Sequence, residues 1–248
     1  MTATGPAELL AVWEAGLARP AGDRSRLLHR AARPAAGEGE LLALTAGERE
    51  ADLYALRRAL FGERMQIRVA CAGCGEEMEF DLDAAPPGAD TPVPEGPLRV
   101  TEGTWSVEFR LPTVADVLAA ASAPDRETAR ERLLERCAVT AAHDGTPVPA
   151  AGLARLLPDT VRRRIARAAE EADPAAATTL DVRCPECSAS TPAELDIASF
   201  LWTEVDHWAR DLLLDVHLLA TAYGWSEPEI LALSPLRRRY YLELCADV

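Results

Sequence analysis

Apolar positions recur along this chain with two different periods, and the switches between them mark the expected elements. Near the N-terminus, Leu9, Val12, Trp13 and Leu17 fall at helical spacing and predict an amphipathic helix over 7–18. A second helix is expected from Asp23 to Ala32, followed by a loop over 34–40. Thr45-Ala-Gly-Glu48 has the form of a capping box, in which a hydroxyl and a carboxylate satisfy first-turn N–H groups reciprocally. It opens a helix to about Leu60 that Phe61-Gly62 ends. The period then falls to two. Ile67-Arg-Val-Ala reads as a short strand, and a second extended segment ends in Leu82-Asp83. Residues 84–97, rich in Pro, Gly and Asp, read as an exposed loop. Leu98-Arg-Val100 and the clean alternation of Trp105 to Leu111 follow as extended chain.

At Pro112-Thr113 the helical period returns. Thr113-Val-Ala-Asp116 starts one helix, Asp125 to about Thr140 forms the next, and Leu153 to Glu171 gives a further helical segment with Pro158 as a break or first-turn residue. Another alternating run starts at Leu180 and a matching segment ends in Leu195-Asp196. Ala198 to Tyr223 is the longest predicted helix, with Leu201, Val205, Trp208, Leu212, Val216, Leu219 and Tyr223 as its apolar stripe and Gly224 as its stop. Ser226-Glu-Pro-Glu229 caps a short helix, and Ser234-Pro235 begins a last one carrying Leu236, Tyr240, Tyr241 and Leu244. The expected class is α+β, mostly helical. Its parts are N-terminal helices over 1–62, a small zinc-ribbon-like β module from 63–111 and 176–197, a helical insert over 112–175, and a C-terminal helical interaction segment over 198–248.

The β module rests on a local pattern that occurs twice. Each copy is a short strand, a Cys-x-x-Cys knuckle and a second extended segment ending in Leu-Asp. The knuckles are Cys71-Ala-Gly-Cys74 and Cys184-Pro-Glu-Cys187. Two such hairpins can gather four thiolates around one tetrahedral Zn²⁺, so Cys71, Cys74, Cys184 and Cys187 are the candidate metal ligands. The gap between knuckles far exceeds the 15–20 or so residues usual in a ribbon, and an inserted segment explains it. The competing readings are four reduced cysteines in two pairs with no metal, and a redox dithiol of the thioredoxin type. That chemistry needs a CxxC at a helix N-terminus, where the dipole lowers the thiol pKa, whereas Gly73, Gly75 and Pro185 favour turns with extended chain after them. Four cysteines bound to zinc leave no open coordination position, which argues against metal catalysis.

Composition narrows the choice further. The 26 basic residues are all arginine, and together with abundant Ala, Gly and Pro they mark a GC-rich coding sequence. Hydrophobic residues make up 48 % but aromatics only 5 %, so the core is mostly Leu, Ala and Val, which favours helices. The net charge of −14 opposes nucleic-acid binding unless there is a local basic patch. The only tight arginine runs, Arg162–Arg164 and Arg237–Arg239, fall in helical contexts, where solvated faces paired with Glu and Asp account for them. There is no apolar run long enough to cross a membrane and no secretory leader pattern at the N-terminus, so the expected location is the bacterial cytoplasm, with incorporation in a larger particle open. Cys137 and Cys245, alone within helical patterns, are expected as small buried apolar residues.

Catalytic patterns are missing from the sequence: it has no Gly-rich phosphate loop, no GxSxG elbow and no HExxH. His207 and His217 stand ten residues apart on the long helix, too far around it to share a ligand, and Asp211 and Asp215 read as part of an acidic solvated face. The expectation is a non-enzymatic protein. The C-terminal segment instead concentrates aromatics and arginine. Trp202, Trp208, Tyr223, Trp225, Arg237, Arg238, Tyr240 and Tyr241 either fill the core between the last helices or include an anchor patch for a protein partner.

That segment also carries a resemblance. Phe200-Leu-Trp-Thr-Glu204, then His217 through Tyr223-Gly-Trp-Ser-Glu227, Ile230-Leu-Ala-Leu and Arg237-Arg-Arg-Tyr240 resemble small baseplate-hub and tail-assembly proteins of T-even phages and of contractile injection systems. Arg110-Leu-Pro-Thr113 before an Asp-containing helix, the paired knuckles and the N-terminal Leu-x-x-x-Trp-Glu fit the same family. The resemblance implies a non-enzymatic structural or assembly role with other baseplate, hub or tail proteins as partners, while the cofactor expected from the knuckles themselves is a structural Zn²⁺. A zinc-ribbon adaptor in transcription or nucleic-acid handling and a CxxC dithiol oxidoreductase remain as alternatives.

Overall fold

The two periods of the sequence reappear as helices and short antiparallel hairpins in the computed structural model, which describes residues 5–86, 88 and 91–246. The chain divides into two units, one from the segments up to Ala31 and from Ala198 onward, the other spanning Ala32–Ile197. In chain order, α1 (Pro6–Gly16) and α2 (Ala21–Ala32) are followed by α3 (Glu38–Ala43), α4 (Ala46–Phe61), β1 (Arg64–Ala70), β2 (Glu77–Asp83), β3 (Leu98–Glu102) and β4 (Trp105–Phe109). Next come α5 (Val114–Ala121), α6 (Arg126–Cys137), β5 (Ala138–His143), β6 (Thr146–Pro147), α7 (Leu153–Leu156) and α8 (Asp159–Ala172). A 3₁₀ turn (Pro174–Ala176), β7 (Thr178–Arg183), β8 (Ser190–Leu195), α9 (Ile197–Tyr223), α10 (Glu227–Leu231) and α11 (Pro235–Ala246) complete the order. Among the described residues, no helix is long and apolar enough to cross a membrane.

The unit formed by the two ends of the chain is helical. Leu201, Val205, Ala209, Leu212 and Leu219 line the buried side of α9, and Leu9, Leu10, Trp13 and Leu28 supply apolar surface from α1 and α2. The apolar face of α1 is turned slightly from the predicted one: Gly16 is buried, whereas Leu17 is exposed. Gly16 explains the rotation. A Cβ there would lie 2.2 Å from the indole of Trp202, so only glycine lets that ring settle against α1. The Arg24 guanidinium covers the same ring at 4.9 Å, and the Trp13 indole N–H donates to Asp206 at 2.8 Å.

Among its described residues the larger unit contains three small antiparallel sheets. β1 pairs with β2 and β7 with β8 as separate hairpins, while β3-β4-β5-β6 form a four-stranded sheet. The predicted helix Asp125–Thr140 therefore ends early, at Cys137, and Ala138–His143 is a strand. The alternating run of β4 turns Trp105, Val107 and Phe109 into the core and needs a hydrogen-bonding neighbour on its free edge. β5 supplies it, and its β-branched Val139 and Thr140 suit extended chain. Residues 98–111 thus pair with strands of the expected helical insert and not with the cysteine hairpins. Val161 and Ile165 of α8, with Leu153 and Leu157, complete the core on this sheet.

Two helix starts in this unit lie back to back. Thr45 and Thr113 cap α4 and α5 through reciprocal boxes with Glu48 and Asp116. The two threonines also form an isolated antiparallel bridge, closed by Ala46 N–H to Pro112 C=O (3.0 Å) and Val114 N–H to Leu44 C=O (2.9 Å). Asp173, buried at the end of α8, accepts the Gly47 N–H at 3.0 Å and so serves the α4 terminus from a distant part of the chain. Asp116 does more than cap. Its fully buried carboxylate receives both terminal nitrogens of Arg110, the Arg136 Nε–H (2.8 Å), and the Thr113 N–H (3.0 Å) and hydroxyl (2.8 Å). Burial pushes this carboxyl up, but the Arg110 guanidinium and the Thr113 donors outweigh it and hold the group well below the usual carboxylate range.

The carboxylate joins the end of β4, the start of α5 and the end of α6, so its removal should be felt through the unit. Breaking a buried pair typically costs about 3–5 kcal/mol. Here the arginines remain partly in water, so Asp116→Asn should destabilise the protein by roughly 2–3 kcal/mol at pH 7. A depressed native pKa contributes stability that is full above the unfolded value near ~3.9 and is lost as pH falls toward the native one. The gap between the two proteins in urea titrations should therefore begin to narrow below about pH 4 and go on narrowing as pH falls further. A gap independent of pH would show that the ionised form is not what matters.

Candidate metal centre

Each cysteine pair sits in the loop of a two-stranded hairpin, and the two loops are built alike. In the first, Cys71 N–H donates to Glu76 C=O (2.8 Å) and Gly75 N–H to Cys71 C=O (2.9 Å). In the second, Cys184 N–H donates to Ala189 C=O (2.9 Å) and Ser188 N–H to Cys184 C=O (2.9 Å). The residue after the second cysteine is left-handed in both, with φ of 79° at Gly75 and 60° at Ser188. Glycine adopts that conformation freely, whereas serine does so at some cost. The loops close at register pairs Ala70↔Glu77 and Arg183↔Ser190, so equivalent positions face equivalent partners.

The loops meet at their sulfurs. The Sγ atoms of Cys71 and Cys187 are 3.5 Å apart, those of Cys74 and Cys184 are 3.7 Å apart, and all four lie within 4.8 Å of one another. Four thiolates at a Zn–S distance of about 2.3 Å around a tetrahedral ion would be separated by about 3.8 Å, so the donor set fits that ion in number, type and spacing. Cys71 and Cys184 are buried and Cys74 and Cys187 exposed. The Gly73 N–H points at the Cys71 sulfur at 3.3 Å. Backbone N–H groups of Cys74 and Gly73 draw the Cys71 thiol down to about 6. The Glu76 N–H pulls Cys74 the same way, but contacts with Cys187 and the other thiols outweigh it and push that group up to about 12. Sulfurs this close cannot all be anions unaided, and a bound dication removes the conflict.

Around the sulfurs the packing is thin. Met78, Val69, Val182 and Ala189 make the only apolar cluster with Cys71 and Cys184 among the described residues. Two contacts tie the hairpins directly. The Ala72 N–H donates to the Thr191 hydroxyl (3.1 Å), and Gly73 lies so close to Ala189 that a Cβ there would come within 3.0 Å of it. Neither Thr191 nor the need for Gly73 was legible in the spacing of the cysteines. Nor does either knuckle open a helix: β2 and β8 follow them, so the dipole that activates a redox CxxC is missing.

The aromatic and arginine residues expected to bind a partner separate by exposure. Trp202 and Arg238 are buried, Trp208, Trp225 and Tyr241 are half-buried, and Tyr223, Arg237 and Tyr240 are exposed. Tyr223 stacks on Trp225 (4.7 Å between centroids), and Tyr241 meets both edge-on at 5.8 and 4.9 Å. These three rings brace the turn between α9 and α11. Arg238 reaches Asp215 at 3.5 Å and Arg239 reaches Glu243 at 3.0 Å, while Arg162 pairs with Glu127 and Asp159, so both arginine runs are partly neutralised from within. His207 and His217 are exposed. Cys137 is buried and its thiol is pushed up to about 11 by that burial, and Cys245 is half-buried.

A family model described as T4 bacteriophage base plate protein matches residues 34–202. No curated protein and no solved structure matches the chain. The matched stretch holds both knuckles and the four-stranded sheet, but it stops early in α9. The C-terminal segment that carried most of the sequence resemblance thus lies largely outside it.

If the four sulfurs share a metal, the purified protein should carry about one zinc per chain. Cys184→Ser should lose that zinc and lower the melting temperature by more than about 5 °C, because metal affinity is folding energy in so small a cluster. Protons compete for thiolate sulfur, so the zinc-dependent part of the stability should shrink as pH falls. Unchanged zinc content and melting temperature in the variant would remove the site.

Proposed function

Because the chain belongs to the T4 bacteriophage base plate protein family, we propose that it is a non-enzymatic structural or assembly component of a phage-like contractile tail or injection-system baseplate. The family match over residues 34–202 carries this reading. The architecture suits it. The cysteine cluster has the donor set of a closed structural Zn²⁺ site, and a closed site offers no position for substrate. In this reading the metal holds the two hairpins together and so fixes the ends of the segment between them, residues 75–183. The partners are other baseplate, hub or tail proteins, reached in part through the C-terminal helices.

The alternatives fit less well. A zinc-ribbon adaptor for nucleic acid would have to overcome a net charge of −14 with arginine runs already partly paired. A dithiol oxidoreductase would need a helix-activated cysteine pair, and both pairs sit between strands.

Affinity isolation of the intact protein from its native cells, followed by mass spectrometry, tests the proposal. Sheath, tube or baseplate proteins are expected to co-purify. Recovery of polymerase or nucleic acid in their place would transfer the assignment to the adaptor reading.

A further inference from the structure

The last helix has two apolar faces, and only one is used. Tyr241, Leu242 and Cys245 turn inward together with the buried Arg238. On the opposite side Leu236, Tyr240 and Leu244 follow one another at intervals of four, and they are 65 %, 61 % and 57 % exposed. An inner set at i, i+3, i+4 and i+7 is what docking onto one's own unit requires. A second stripe of three large apolar side chains in water is not explained by it. The stripe lies beyond residue 202, outside the part of the chain that the family model matches.

A complementary face lies on α9 of the same unit. Leu214 (56 %) and Leu218 (44 %) are exposed four residues apart, and Asp211 shares their side of the helix. The two faces differ in charge. Arg237 borders the α11 stripe, and its guanidinium makes no ion pair among the described residues. Asp211 borders the α9 stripe and likewise pairs with no cation among them. One face is therefore apolar with an unused positive charge, and the other is apolar with an unused negative charge. A molecule that carries both halves of a complementary pair on one unit is suited to a two-fold interface, in which each copy gives one face and receives the other.

We propose that the chain associates with a second copy of itself through these faces, with α11 of each copy packed against the exposed side of α9 of the other and Arg237 of one opposite Asp211 of its mate. This rests on the baseplate reading only in taking the C-terminal helices as a docking surface, and it names the partner as the same chain.

Sedimentation velocity and light scattering on the full-length protein over a dilution series test it. The wild type should pass from dimer to monomer on dilution, and Tyr240→Glu should raise the dimer dissociation constant by about thirtyfold or more, as loss of a central anchor does. Arg237→Glu and Asp211→Arg should each be monomeric alone, because like charges then face each other. Mixed in equal amounts they should recover the dimer, because the mixed pair restores opposite charges at both contacts. Misfolding of either variant could not produce that recovery. A wild type that stays monomeric throughout, or single variants that dimerise like it, overturns the proposal. A monomer that still co-purifies with tail proteins defeats self-association alone. A dimer that co-purifies with none defeats the baseplate reading and leaves self-association standing.

Discussion

A carboxylate with no water around it holds the middle of the larger unit together. Asp116 joins three elements because it accepts from two arginines and from the backbone and hydroxyl of Thr113 at once. Any one of those contacts would contribute little by itself, since both arginines are more than a third exposed. Converging on a buried acceptor, they fix where the sheet ends, where α5 starts and where α6 stops. The paired caps at Thr45 and Thr113 extend the same logic to α4. The arrangement of elements over 45–137 is therefore set as much by the termini of helices as by apolar burial.

The cysteine hairpins follow a different rule. Among the described residues they share no strand pairing with each other or with the four-stranded sheet, and their common apolar cluster is small. Isolated two-stranded hairpins are at best marginal in water. Here each hairpin also leans on the rest of the unit, through the buried Met65 and Ile67 of β1 and the Tyr54 hydroxyl that bonds Thr178 of β7, and where the four sulfurs meet, two loops remote in sequence repeat the same hydrogen bonds and the same left-handed residue. The family match covers this arrangement together with the Asp116 network.

Much of this was legible from local signals. The capping boxes at Thr45, Thr113 and Ser226, the stop at Gly224 (φ 70°) and the paired knuckles depend on a few neighbouring residues, and a sequence displays those directly. What escaped depends on residues that meet only after folding. β5 follows α6 directly, with no Gly or Pro at the junction of Cys137 and Ala138; the local marks, β-branched Val139-Thr140 and the Asp144-Gly145 turn, lie inside and after the strand, and the free edge of β4 gives it its partner. Helical spacing alone puts Leu17 on the inward face, but Gly16 beside it admits the Trp202 ring. Asp173 shows no sign in the sequence that it serves the start of α4. Trp202, grouped by composition with possible anchors, is a core residue for the same tertiary reason.

The separation of the knuckles has a consequence during synthesis. Cys74 and Cys184 are 110 residues apart, and ribosomes add about 5–20 residues per second. The first hairpin, which closes in microseconds, therefore waits on the order of ten seconds for its counterpart to be made. Through that interval it holds only two of the four sulfurs that meet in the folded protein, and the sheet and helices that emerge meanwhile must fold before the two loops can come together.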